Sequence, residues 1–371
     1  MIRFTTFLSR FAVLGIVASA CVSHAYAQLY TITDIGVLAG KSISGAFAIN
    51  DKGQIVGHSY SVGNNDLEAF VYSNGVMTSL GLLPGYAQSS ATAINNSGQI
   101  TGLVNNPVSN VGHAFHYQNG TMTDLGTLPG GTNSSGTAIA NDGTVFGLSD
   151  TRATAFVGGT ATNLGTLPGD TFSGVYGINA MGQAVGSSSA NGTGRVALFA
   201  NGAITSLGTL PGDNSAIGYS INDAGQVVGF SVNGSNNRRA FFYNNGSMTN
   251  LGLLSGTTDS MAYAVNNSGV AVGLSYNSFG SFNRAFRWSS ATGLQDLNNL
   301  IPANSGWTLD TARSINASGQ IVGTGRINGA THGFLLTPIT AAPEPGALSL
   351  ALFTAPGLLF YRHKRANRKP Q

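Results

Sequence analysis

Short apolar runs of four to six residues, each ended by Gly, Asn, Asp or Ser, recur along the chain from about residue 30 to residue 338. In the first copy the runs are Tyr30 to Ile35, Ala46 to Ile49, Gln54 to Ser59 and Glu68 to Tyr72, separated by a loop from Gly36 to Ser44 and by the turns Asn50 to Gly53 and Ser73 to Gly75. Outside the two ends, no stretch of ten residues keeps apolar side chains at a 3.6-residue spacing, so the pattern predicts strands and turns throughout. A Leu-Gly element marks each copy at Gly36, Gly81, Gly126, Gly165, Gly208 and Gly252, with Leu297-Asn298 as a degraded seventh. An Ile-Asn element follows at Ile49, Ile94, Ile139, Ile178, Ile221, Val265 and Ile315, with Ala140 and not Asn after Ile139. The spacings of 45, 45, 39, 43, 44 and 50 residues identify an array of small units.

Four strands in each of seven units predict an all-β chain and, over residues 28-339, a seven-bladed β-propeller of four-stranded blades. A lone four-stranded sheet with two apolar faces has nothing to cover it, whereas a ring buries each blade against two neighbours and leaves only outer edges open. The alternative is an elongated β-solenoid. For the ring, closure between intact blades and closure through one shared blade are equally compatible with the repeat phase. The Asn-x-x-Gly turns, as in Asn222 to Gly225, predict a capping Asn side chain and a glycine at positive φ where the chain re-enters the sheet. They are too short and too poor in acids for a helix-flanked calcium loop.

Composition changes this picture mainly at the ends. Only 8% of residues are charged and 52 are glycine, yet the regular apolar runs exclude a disordered polar chain. Residues 1-27 read as a secretory signal peptide: Arg3 and Arg10 precede an apolar segment from Phe11 to Ala20, and Ala25-Tyr26-Ala27 forms a small-x-small site that starts the mature chain at Gln28. Signal peptidase and the secretion machinery are the partners this implies. A competing reading makes Cys21, after Ala18-Ser19-Ala20, a lipidated N-terminal cysteine. Cleavage after Ala27 leaves no cysteine, in keeping with an exported fold held by sheet packing.

At the other end, residues 340-371 contain Pro343-Glu344-Pro345, an apolar segment from Gly346 to Phe360 broken by Pro356, and the basic run Arg362 to Lys369. The run is short for a stable bilayer span and fits a transient membrane anchor with its basic end on the cytoplasmic side. In order and spacing the three parts resemble the PEP-CTERM sorting signal of Gram-negative bacteria. The resemblance implies processing by an exosortase and delivery to the cell surface or the exopolysaccharide matrix.

The chain carries 17 Lys and Arg against 14 Asp and Glu. Seven of those cations and one of the acids lie in the two terminal segments, leaving ten cations against thirteen acids in residues 28 to 342. The basic balance therefore belongs to the ends and predicts no nucleic-acid partner. The repeats resemble the HAF family of probable extracellular repeats, on His113-Ala114-Phe115 and the run from Asn119 to Gly130. Glu68, Thr154, Arg239 and Arg284 stand in place of the histidine elsewhere, so a functional ring of histidines is not expected.

Candidate chemistry is sparse. His113 and His116 are three apart on a strand and fall on opposite faces, which argues against joint metal ligation. Asp34, Asp124 and Asp296 recur at one phase, and only their meeting on one rim would supply the paired carboxylates of a polysaccharide hydrolase or lyase. No nucleophile elbow, phosphate loop or dinucleotide fingerprint stands in its required context. The sequence therefore predicts no enzyme, cofactor or metal site. It predicts a surface or matrix protein with a structural or glycan-binding role and exopolysaccharide as a partner. Tyr117, Tyr243 and Trp288 share one strand phase and predict packing between blades. Trp307, in the loop after Ile301-Pro302, is the candidate exposed ring for a sugar face.

Overall fold

The computed structural model describes residues 29-63, 66-277 and 282-339, and they form seven four-stranded antiparallel sheets. In blade 1 the strands are Ile43–Ile49, Ile55–Tyr60, Glu68–Ser73 and Val76–Ser79, paired in that order. Blades 2 to 6 repeat the arrangement over 88-124, 134-165, 172-208, 215-250 and 259-296. The first strand of each blade touches the first strands of the blades on either side, and that of blade 1 also touches Trp307–Ile315 of blade 7. These strands therefore line the axis of a closed ring. The chain is a seven-bladed β-propeller, and the solenoid alternative is excluded.

Closure runs through a shared blade. Blade 7 takes three strands from 307-338 and its outermost strand from Tyr30–Asp34, which pairs Tyr30 with Pro338 and Asp34 with Phe334. The structural blade is thus shifted by one strand from the sequence unit that begins at Tyr30. Joining the two ends in one sheet leaves no blade unpaired at the seam, so residues 29 to 339 carry the whole ring.

Apolar cores sit between successive sheets. Val56, Ala69 and Leu80 of blade 1 and its exit pack with Ala91, Ile100 and Phe115 of blade 2. Phe70, Phe115, Phe241, Phe286 and Phe334 are fully buried at one register position. Each lies opposite a second-strand glycine, and at those five glycines, as at Gly147 and Gly186 of blades 3 and 4, an added Cβ would lie 1.8 to 2.0 Å from a carbonyl oxygen of the innermost strand. A buried serine joins sheet to sheet at several seams. Ser89 of blade 2 accepts from the Ala69 N–H of blade 1 and donates to the Gly81 carbonyl of the connection, both at 2.9 Å.

The only helical element among the described residues is the short turn Leu297–Asn299 at the degraded Leu-Gly copy. No described helix is long and apolar enough to cross a membrane. Cys21, Ala25, Ala27, Gln28, Pro343, Glu344 and Pro345 lie outside the described residues.

Candidate functional site

The site is built by a defect repeated in every blade. Each innermost strand shifts register against its neighbour at one matched position, giving a β-bulge at Phe47, Thr92, Thr137 and Tyr176 in blades 1 to 4 and at Tyr219, Tyr263 and Arg313 in blades 5 to 7; blade 7 alone has a second shift, at Asp310. A bulge inserts an unpaired residue and re-aims its side chain. Here all seven line one cavity of about 660 Å3 on the propeller axis.

The ring of bulged residues is lopsided. Blades 4, 5, 6, 7 and 1 contribute Tyr176, Tyr219, Tyr263, Arg313 and Phe47 side by side, whereas blades 2 and 3 contribute Thr92 and Thr137. Ring centroids of Tyr176 and Tyr219 are 5.7 Å apart, and those of Tyr219 and Tyr263 are 5.4 Å apart. The Arg313 guanidinium lies 4.3 Å from the Tyr263 centroid and 5.7 Å from that of Phe47, within reach of cation–π attraction. On the opposite side the threonine hydroxyls donate to carbonyls of the next blade, Thr92 to Gly136 at 2.7 Å and Thr137 to Val175 at 2.5 Å. The cavity is therefore a crescent with an aromatic, cationic wall facing two short side chains.

Burial raises the phenols of Tyr176, Tyr219 and Tyr263 above their ordinary value, so all three keep their protons. His58 packs edge-on against Phe47 at 4.7 Å, and burial, assisted by the Arg313 charge, lowers its pKa to about 4. Arg238 also lines the cavity, and its guanidinium donates to the Tyr276 hydroxyl at 3.1 Å. No Asp or Glu is among the lining residues.

Toward the other face the same strands continue into the Ile-Asn element and a second axial cavity of about 490 Å3. Each Asn caps its own turn as expected: Asn222 Oδ1 accepts from the N–H groups of Ala224 and Gln226 at 3.1 and 2.9 Å, and Gly225 has φ of 75°. The amide also does something the turn alone does not require. Asn222 Nδ2 donates to the Asn266 carbonyl of the next blade at 2.9 Å, and the equivalent bond joins Asn50 to Asn95, Asn95 to Ala140, Asn179 to Asn222, Asn266 to Asn316 and Asn316 to Asn50. Ala140 breaks this belt at one place, between blades 3 and 4. Asp51 and Asp223 are engaged at the same face, accepting from Asn96 and Asn267 at 2.8 and 2.7 Å.

The residues singled out in the sequence fall elsewhere. Asp34, Asp124 and Asp296 occupy outermost strands of blades 7, 2 and 6 and do not meet. Their carboxylates accept from the N–H groups of Gly36, Gly126 and Asn298 in the Leu-Gly turns. They also pair with His332, His113 and Arg284, respectively. The paired-carboxylate arrangement is thus corrected to three separate turn caps. Register also corrects the histidine position of blade 3: Gly147 lies opposite Thr154, which puts Arg152 and not Thr154 where His113 stands in blade 2. His113 and His116 do not converge, because His113 pairs with Asp124 while the buried His116 Nε2 has no hydrogen-bond partner.

Trp307 opens the innermost strand of blade 7 and is half-buried, its ring 6.1 Å from that of Phe334. It is not the exposed loop ring expected. Tyr117, Tyr243 and Trp288 pack at blade seams, Trp288 at 4.8 Å from Phe242. The bulge ring itself was missed in the sequence. Its signal is the one large, non-repeating position inside a repeated motif of small residues, as in Gly218-Tyr219-Ser220-Ile221-Asn222 and Ala262-Tyr263-Ala264-Val265-Asn266.

No family model and no curated protein matches the chain. Among solved structures, it is similar to a puromycin-hydrolyzing peptidase of Mycobacterium tuberculosis, with a TM-score of 0.54 and 13% identity over 85% of this chain and 55% of that one. It is also similar to the extracellular domain of a putative one-component system of B. thetaiotaomicron, with a TM-score of 0.52 and 13% identity over 85% of this chain and 40% of that one. A third similarity is to the β-propeller domain of the Trilobed protease of Pyrococcus furiosus, with a TM-score of 0.52 and 8% identity over 82% of this chain and 100% of that one. At these identities the likeness is one of fold. It nevertheless overturns the expectation that the chain is not an enzyme, because the fold found here also belongs to a peptidase, and a propeller is no ground for excluding catalysis.

Proposed function

We propose that the mature chain is exported to the cell surface or extracellular matrix and that its propeller binds a carbohydrate chain in the crescent-shaped axial cavity. The observation that carries this reading is the run of Tyr176, Tyr219, Tyr263, Arg313 and Phe47 from five consecutive blades, all brought to one wall by the same bulge. Flat aromatic rings cover the apolar faces of sugars, and protonated phenols and guanidinium groups donate to sugar oxygens. The signal-like residues 1 to 27 and the sorting-like tail from residue 340 support the destination, with removal of the tail by an exosortase-like enzyme. Exopolysaccharide is then the nearest polymer.

Affinity electrophoresis of residues 28 to 342 against the producing bacterium's exopolysaccharide tests the reading, with polymer length measured before and after. Saturable retention is expected, weakened about tenfold or more by Tyr219→Ala, the scale of one lost aromatic anchor. No retention, or retention unchanged in both Tyr219→Ala and Tyr263→Ala, overturns it.

A further inference from the structure

We propose that the sugar held in this cavity is anionic, with its carboxylate or sulfate group on Arg313 at the centre of the aromatic wall. The inference rests on the carbohydrate reading above and deepens it by naming the charge class of the ligand.

Several arginines of the ring are matched by carboxylates. Outside the cavity lining, Arg195 pairs with Asp170, Arg239 with Asp213, Arg284 with Asp296 and Arg326 with Asp310. Among the described residues, no carboxylate lies within ion-pair distance of Arg313. It is half-buried between Tyr263 and Phe47, on a bulge that turns it into the cavity. Withdrawing a cation from water without a counterion is costly, and quadrupoles of two aromatic faces compensate only part of that cost. An anion arriving in the cavity supplies the missing partner, and the guanidinium fork matches the paired oxygens of a carboxylate or sulfate group.

The surroundings do not cancel that charge. Arg238 is the second cation of the lining, and it lies 5.3 Å from the Phe230 centroid. Asp259 accepts from the Arg238 backbone N–H at 2.8 Å and from the Thr258 hydroxyl at 2.7 Å, and it does not line the cavity. His58 is neutral at physiological pH and no Asp or Glu is among the lining residues, so Arg313 gives the aromatic wall its positive charge. The body as a whole carries more acids than cations, which makes a cationic axial cavity a local feature and not a reflection of overall charge.

The test uses residues 28 to 342, which carry the complete ring without the basic tail that would itself attract polyanions. Binding is measured by calorimetry to three probes of matched length: oligogalacturonate, its carboxyl-reduced neutral product, and a sulfated galactan oligomer. At least one anionic probe is expected to bind about tenfold or more tighter than the neutral one, the scale of a charge-assisted hydrogen bond. Arg313→Gln should erase that preference, weakening the anionic probes more than the neutral one, and Arg313→Lys should keep part of it. Tyr219→Ala should weaken every probe. The carboxylate and sulfate arms distinguish which acid group is held. Equal binding of neutral and anionic probes, or a preference that survives Arg313→Gln in a variant with unchanged thermal unfolding, overturns the inference and leaves the carbohydrate reading standing. Absence of binding to all three overturns both.

Discussion

Asn316 Nδ2 donates to the backbone carbonyl of Asn50 at 3.1 Å, joining residues 266 apart in the chain. It is the belt bond across the seam between blades 7 and 1, and six of the seven seams carry one like it. A single side chain thus ends a turn and ties two blades together, so the turn motif and the ring are stabilised by the same residue.

Breaking that belt has a predictable cost. Asn222→Ala removes the amide that bonds Gln226 and Asn266 and the oxygen that caps the turn, leaving the N–H groups of Ala224 and Gln226 without their acceptor. A loss of about 2 kcal/mol or more is expected. Ala140→Asn fills the missing place in the belt and is expected to add about 1 kcal/mol. Urea denaturation of the two variants checks both signs, and a neutral Asn222→Ala would show that the belt does not bear on stability.

The second-strand glycines differ in kind from the turn glycines. At Gly229 a Cβ would sit 1.9 Å from the Ile217 carbonyl oxygen, a fixed backbone atom beside the bulge. Gly229→Ala is expected to cost about 3 kcal/mol, because backbone must move to admit the methyl group. Gly225 has φ of 75° and no atom within 4 Å of such a Cβ, so Gly225→Ala meets only backbone strain, about 1 kcal/mol. Equal unfolding midpoints for the two variants would contradict this ranking.

Closure through Tyr30–Asp34 makes these five residues structural. A chain that starts at residue 35 leaves blade 7 with three strands and uncovers the core in which Tyr30 is buried. A lower urea midpoint and early proteolysis within 307-338 are expected, with intact blades 2 to 5 in limited digests. An unchanged midpoint would mean that the ring does not need its shared blade.

His58 gives the axis a pH response. Its folded pKa of about 4 lies below the ordinary value of 6.5, so the unfolded chain takes up the proton first as pH falls. Stability is therefore full above pH 6.5 and declines between pH 6.5 and 4, by an amount on the order of 3 kcal/mol. His58→Asn should flatten this part of the profile relative to the parent protein. If the difference between the two proteins does not change over that range, His58 is not the group responsible.

The repeat count, the strand pattern and the turn chemistry were legible in the sequence because each rests on neighbours along the chain: alternating apolar positions, Asn-x-x-Gly spacing, a Leu-Gly corner. Together with the need of each sheet to cover two apolar faces, they pointed to a seven-bladed ring, while the solenoid alternative fell only to the contacts between first strands around the axis. The sequence phase did not place Tyr30–Asp34, because the partner of that strand lies some three hundred residues away. Nor did strand alternation place Asp34, Asp124 and Asp296, since recurrence at one phase distributes residues around a ring and brings none of them together.

Only the tertiary structure decided the site. A β-bulge leaves no mark in an apolar pattern, and it is the bulge that turns Tyr219, Tyr263 and Arg313 toward the axis. Ring closure then sets these residues beside one another although 44 to 50 positions separate each from the next. The sequence by itself determined what each blade is. The closed ring determined which face of each blade looks onto a shared axis, because only closure converts a repeat along the chain into a neighbourhood in space.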